Sequence, residues 1–216
     1  MSPAVICPTI TALDSRDYYA QMDRLSTFAE RLHLDVADGR LAPRKLIDLD
    51  QLWWPGNITV DIHVMYQQPF DYLELLIVQH PQLVIVHAEA DGDFLSFASR
   101  MHKHGIEVGV ALLPQTKVDT IMSALGMIDH VLIFSGNLGY QGGSQVDLSL
   151  LNKVRVLKSI RPTLEIGWDG GINDQNARTL IASGVDVLNV GGFIQKAANP
   201  AQAYAKLEAL TLSGSK

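Results

Sequence analysis

Two short stretches hold much of the chemistry this chain can do. In RLHLDVADGR (31–40), His33 and Asp35 stand two apart, interleaved with Leu32, Leu34 and Val36. That alternation reads as a β-strand, on which side chains two apart share a face. In ITVDIHVM (58–65), Asp61, His63 and Met65 share one face and Ile62 and Val64 the other. His87-Ala88-Glu89 and Asp169-Gly170-Gly171 also place polar groups at the ends of apolar runs. Brought together, His33, His63, Asp35 and Asp169 would suit a borderline divalent ion: Zn²⁺, Fe²⁺, Mn²⁺ or Co²⁺. Kept apart, each would be a buried polar group with its own hydrogen bond. Four left unpaired in one cavity would cost on the order of several kcal/mol.

Glycines supply a second kind of site. WDGGIN (168–173) and NVGGFI (189–194) each set a glycine pair, Gly170-Gly171 and Gly191-Gly192, between a strand and a helix. SGNLGYQGGSQVD (135–147) adds Gly136, Gly139, Gly142 and Gly143. Glycine lets backbone N–H groups approach a phosphate, and a helix N-terminus adds partial positive charge. One such pair more often marks a turn; two at equivalent positions beside Asp169 point to anion capture.

The elements that must position these groups repeat. Apolar or β-branched runs at 4–9, 32–36, 58–64, 83–88, 107–113, 130–134, 163–168 and 185–190 alternate with stretches of helical spacing. Gly105 and Gly184 stand where helices should end. Eight such units predict an α/β fold, a closed (β/α)₈ TIM barrel, with an open doubly wound sheet as the alternative. No linker divides the chain, so one domain is expected over 1–216. In this barrel the active site lies at the C-terminal ends of the strands, where Thr9, His33, Asp35, His63, His87, Glu89, Ser135 and Asp169 fall. His80, His102, His104 and His130 fall on helices or at strand starts and read as solvated surface.

Composition narrows the function classes. The 216 residues are 47% hydrophobic and 19% charged, with a formal net charge of −6 and no clustered lysine or arginine. A nucleic-acid partner needs a basic patch and is not expected; a small anion held by local donors is compatible. No apolar run is long enough for a membrane span, and MSPAVICPTI lacks the features of a signal peptide. Cys7 is the only cysteine, which excludes an internal disulfide and suits a reducing cytoplasm.

In order along the chain, these motifs resemble the ribulose-phosphate 3-epimerases over almost the whole length. The family's H-x-D-x-x-D-G stands at His33-Leu34-Asp35-Val36-Ala37-Asp38-Gly39, its D-x-H-x-M at Asp61-Ile62-His63-Val64-Met65, its H-x-E at His87-Ala88-Glu89 and its D-G-G at Asp169-Gly170-Gly171. The resemblance implies one divalent metal held by His33, Asp35, His63 and Asp169, with Asp35 and Asp169 also the proton-transfer pair. It implies a ketose phosphate inverted at C3 through a metal-stabilised enediolate, with D-ribulose 5-phosphate converted to D-xylulose 5-phosphate. It also implies a homo-oligomer, for which Trp53-Trp54-Pro55 offers a contact unless those rings are buried under a helix.

Several positions depart from the family pattern. Thr9 replaces a serine that touches substrate, and Ala37 and Phe134 break a ring of methionines of which Met65 remains. Leu113 and Arg44 stand where asparagines are usual, and Gly191-Gly192 replaces G-S. Loop six reads Leu138-Gly139-Tyr140-Gln141-Gly142-Gly143 in place of P-G-F-G-G-Q. These changes leave two alternatives: an epimerase of another ketose phosphate, such as allulose 6-phosphate, or a catalytically silent sugar-phosphate-binding barrel. A lyase or decarboxylase of the related superfamily would carry an aspartate–lysine–aspartate pattern on strand three, where this chain has His63.

Overall fold

Short runs rich in β-branched and other apolar residues form strands, and eight of them close into a ring. The computed structural model describes residues 3–212. Met1, Ser2 and residues 213–216, included in the single-domain reading, lie outside these. The strands are β1 (Val5–Thr11), β2 (Arg31–Ala37), β3 (Thr59–Met65), β4 (Leu83–His87), β5 (Glu107–Leu112), β6 (His130–Phe134), β7 (Glu165–Asp169) and β8 (Val187–Val190). Each pairs in parallel with the next, and β8 returns to β1 with Val187 opposite Val5. That last pairing makes the sheet a closed (β/α)₈ barrel rather than an open one.

The helices are α1 (Ser15–Leu25), α2 (Leu73–Gln79), α3 (Phe94–Lys103), α4 (Leu151–Ile160), α5 (Ala177–Ala182), α6 (Gly192–Gln195) and α7 (Pro200–Leu212). Asp14 caps α1 by accepting from the Asp17 N–H, and Asp93 caps α3 through Ser96. The expectation of a helix after every strand fails twice. Between β2 and β3 there is only a 3₁₀ turn, Leu49–Gln51. Pro43, Pro55 and Gly56 break that stretch, and no 3.6-residue pattern survives between them. Between β5 and β6, Val118–Met127 winds as 3₁₀ helix, burying Val118, Ile121 and Leu125.

The strands have two unlike faces. Leu32, Leu34, Val36, Val60, Ile62 and Val64 pack outward in one core with Met22 and Leu25 of α1. The other face lines the barrel, where Leu83, Ile85, Ala111 and Leu132 form a separate apolar cluster. Opposite that cluster the interior is polar. Near the N-terminal ends of the strands, Arg31 Nε lies 2.8 Å from Asp61 Oδ2 and its Nη2 3.0 Å from Glu165 Oε1. His130 Nδ1 lies 2.7 Å from the same Glu165 oxygen.

That network overturns one expectation. His130, read as solvated surface, is 1% exposed. Its ring fits because β7 has glycine beside it: a Cβ on Gly167 would lie 2.4 Å from His130 Nε2. His80 and His104 are exposed as expected, and His102 is half-buried against Asp129 at 2.7 Å. Of the paired tryptophans, Trp54 packs against the core while Trp53 is exposed. Trp53 is thus not buried under a helix.

Candidate active site

Register decides which side chains meet. In β2 and β3, His33 stands opposite Asp61 and Asp35 opposite His63; in β1, Thr9 faces His33 and Thr11 faces Asp35. Across the barrel Asp169 of β7 sits between Phe134 of β6 and Asn189 of β8. Parallel neighbours in register present their side chains to the same face, so all of these reach the interior, Asp61 toward the arginine network at the base and the others nearer the C-terminal mouth.

Four of them converge. His33, Asp35, His63 and Asp169 each offer an atom within 4.8 Å of the others. His63 Nδ1 is 3.0 Å from Asp35 Oδ1, while His33 Nε2 is 3.4 Å from Asp35 Oδ1 and 3.8 Å from Asp169 Oδ2. The His33 ring is fully buried, and neither of its nitrogens completes a hydrogen bond. A buried imidazole without a partner, facing two carboxylates, fits a divalent cation held by nitrogen and oxygen donors.

The two aspartates differ electrostatically. Burial pushes Asp35 up, but the His33 imidazole beside it and the hydrogen-bonded His63 hold it well below the usual carboxylate range. Burial also pushes Asp169 up, the Asp35 charge adds to it, and the pKa reaches about 7. One carboxyl is therefore ionised at neutral pH while the other readily keeps a proton. Burial lowers His63 to about 4; at His33 burial is outweighed by Asp35, and the pKa rises.

Above this cup opens a cavity of about 240 Å³. Thr9, Asp35, Met65, Asp169 and Asn189 line it, together with Gly142, Gly143, Gly170, Gly171, Gly191 and Gly192. Gly170 and Gly171 have φ of +112° and +72°, and a Cβ would come within 2.3 Å of Gly136 N and 2.2 Å of Val146 N respectively. No other residue type fits those two positions without moving loop six. The helices that follow the glycine pairs, α5 and α6, are short, so the backbone itself is the main anion-facing feature.

Several lining residues escaped the sequence reading. The Thr11 hydroxyl donates to Asp35 Oδ2 at 2.7 Å. Asn189 is 2% exposed with both amide atoms unpartnered; the hydroxyl of Thr9, which the sequence did place at this mouth, is likewise buried and unpartnered. Lys196 is the only lysine or arginine lining the cavity among the described residues. Gln141 holds loop six down: its Nε2 donates to the Thr9 carbonyl at 3.1 Å and to Gln21 Oε1 at 3.2 Å. Gln195 donates to the same two oxygens. Thr11 lies two beyond Thr9 on one strand, the single signal that could have found any of these.

The departures from the family pattern also have places. Ala37 and Met65 pack with Ala42 and Leu46 at the rim. The Phe134 ring lies 5.7 Å from that of His63 and 6.0 Å from that of His87. Arg44 is exposed, its guanidinium 5.5 Å from the centroid of Tyr140 in loop six. Leu113 contributes its carbonyl to Lys153 Nζ.

Comparison with known proteins agrees with the motifs. Residues 5–195 match the model of the Ribulose-phosphate 3 epimerase family. The chain is 28% identical over 195 residues to ribulose-phosphate 3-epimerase of Helicobacter pylori, covering 88% of this chain and 89% of the relative. It is 29% identical over 192 residues to the enzyme of the same name from Aquifex aeolicus, covering 86% of each. Among solved structures, 3-hexulose-6-phosphate synthase from Salmonella typhimurium aligns with a TM-score of 0.75 at 17% identity, over 97% of this chain and 99% of that one. At that identity the likeness speaks for the barrel alone. By the family match over most of its length, the chain belongs to the ribulose-phosphate 3-epimerase family.

Proposed function

We propose that this protein inverts C3 of a ketose 5-phosphate, interconverting D-ribulose 5-phosphate and D-xylulose 5-phosphate, with one divalent ion held by His33, Asp35, His63 and Asp169. The observation that carries the reading is the convergence of two carboxyls from different strands, Asp35 and Asp169, with the imidazoles of His33 and His63 in one buried cup.

Inversion requires a proton to leave one face of C3 and another to arrive on the opposite face. A single side chain cannot reach both. Asp35 takes the C3 proton as the C–H electrons pass into an enediolate, and Asp169 delivers its own proton to C3 from the other side. The next turnover, or the reverse reaction, begins from the complementary protonation state. Thr11 aims the Asp35 carboxylate by donating to its second oxygen. When bound, the cation supplies Lewis-acid stabilisation of the negative charge developing on the C2 oxygen. The two histidines hold their nitrogens toward that place, and burial of the cup excludes water that would scramble the proton. The backbone at Gly142-Gly143, Gly170-Gly171 and Gly191-Gly192, with the Lys196 ammonium beside it, holds the phosphate and so fixes C3 between the carboxyls.

The test is incubation of metal-loaded protein with D-ribulose 5-phosphate in D₂O, followed by NMR. Deuterium at C3 together with xylulose 5-phosphate is expected. Release of CO₂ or cleavage of the carbon chain would replace this reading with a lyase. No exchange with any of several ketose phosphates, allulose 6-phosphate included, would leave a silent binding barrel. Faster exchange with allulose 6-phosphate would keep the reaction and change the substrate. Ala37 and Phe134 at methionine positions give that outcome its specific grounds. The reading brings with it a cytoplasmic setting and a homo-oligomer, checked by light scattering against the 23.7 kDa of one chain.

A further inference from the structure

His87 ends β4, Glu89 follows in the turn after it, and neither takes part in the proton transfer just described. Yet His87 is 2% exposed and lies against a candidate metal ligand. Its ring stacks on His63 with centroids 4.9 Å apart and planes at 27°. The two Nε2 atoms are 2.8 Å apart, so one of them carries a proton and the other accepts it. On its far side, His87 Nδ1 is 3.3 Å from Glu89 Oε2. The other Glu89 oxygen accepts from the Thr116 hydroxyl.

This row of groups can be read only one way once a cation is present. Nε2 of His63 is occupied by His87, which leaves Nδ1, facing Asp35 Oδ1 at 3.0 Å, as the nitrogen free to ligate. A lone pair at Nδ1 requires the ring proton at Nε2, and that proton must donate to His87 Nε2. His87 then has to carry its own proton at Nδ1, where a carboxylate waits for it. Without such an acceptor row, the Asp35 carboxylate would draw the His63 proton to Nδ1 and block the ligating nitrogen.

We propose that His87 and Glu89 are positioning residues that fix the tautomer of His63, keeping its Nδ1 lone pair turned toward a divalent cation. The proposal rests on the metal reading above and extends it by a carboxylate–imidazole–imidazole relay from β3 through β4 to the turn after it. Carboxylate-to-histidine contacts behind a metal ligand serve this purpose generally, and their loss costs about 10–100-fold in metal affinity.

The test compares binding of Co²⁺ to metal-stripped wild type, His87→Met and His87→Gln, by chelator competition and by the visible spectrum of the cobalt form. Methionine fills a similar space and offers the relay no usable partner; glutamine can accept from His63 with its oxygen and donate to Glu89 with its nitrogen. The expected result is a 10–100-fold weaker affinity and an altered spectrum for His87→Met, with His87→Gln close to wild type. Wild-type affinity and spectrum in His87→Met would overturn the relay while leaving the metal site standing. A wild type that takes up no Co²⁺ would overturn both. Should His87→Met fail to fold, Glu89→Ala at the partly exposed end of the row carries the same expectation and the same refutation.

Discussion

Asp35 and Asp169 carry titrations that no surface aspartate would show, and each is replaceable by an amide of the same shape. Asp35→Asn and Asp169→Asn are each expected to lower kcat by at least about 10²-fold, the range of one positioned acid or base, with unchanged circular dichroism. Near-full activity in either variant would end the two-carboxylate mechanism. Thr11→Val removes a hydrogen bond to a buried charge and should lower kcat about tenfold by releasing the carboxylate from its aim. Lys196→Ala should act differently: steady-state kinetics should show KM for the sugar phosphate rising about tenfold with kcat nearly unchanged, as for a contact equally good in ground and transition states. The four converging residues were legible because each stands at a fixed step on a strand whose alternation is plain. Asn189 and Lys196 were not, since their place depends on barrel closure and on the path of the last loop. Gln141 was visible only as a deviation; its role comes from reaching Thr9 and Gln21, residues far off in sequence.

Strands were the easiest elements to read, because β-branched residues and period-two alternation mark them locally. The missing helix between β2 and β3 was harder, since barrel regularity argued for one while Pro43, Pro55 and Gly56 argued against. His130 was misread because a strand's first residue usually meets solvent. Here the neighbouring strand provides a glycine, and the ring turns inward toward Glu165. Gly167→Ala should therefore destabilise by about 1–3 kcal/mol, the usual cost of overpacking a core. Thermal melts should show a smaller penalty for the same change in a His130→Ala background. Equal penalties in both backgrounds would mean that the ring does not dictate the glycine.

The fold as a whole places its charge at two depths: acid and imidazole at the mouth, an arginine-centred network at the base. Arg31 there joins β2 to β3 and β7, and Glu165 joins in β6 through His130. Burial pushes Glu165 up, but His130 and then Arg31 hold it at about 2, below its ordinary 4.5. A depressed carboxyl contributes stability that is whole above pH 4.5 and drains away as pH falls toward 2. Denaturant melts across that window should show wild type losing stability faster than Glu165→Gln; parallel curves would show that the network adds nothing to acid resistance. Among the described residues no helix is long and apolar enough to cross a membrane.

The pairing of β1 with β8 has a bearing on how the chain is made. β1 is synthesised well before β8 and must wait for that strand before its second neighbour exists. During synthesis its hydrogen-bonding edge is bare, and a fragment ending short of Val187 would keep two such edges, the surfaces along which sheets stick to one another. Such a fragment belongs in inclusion bodies, and a separately supplied C-terminal piece carrying β8 and α7 should bring it into solution.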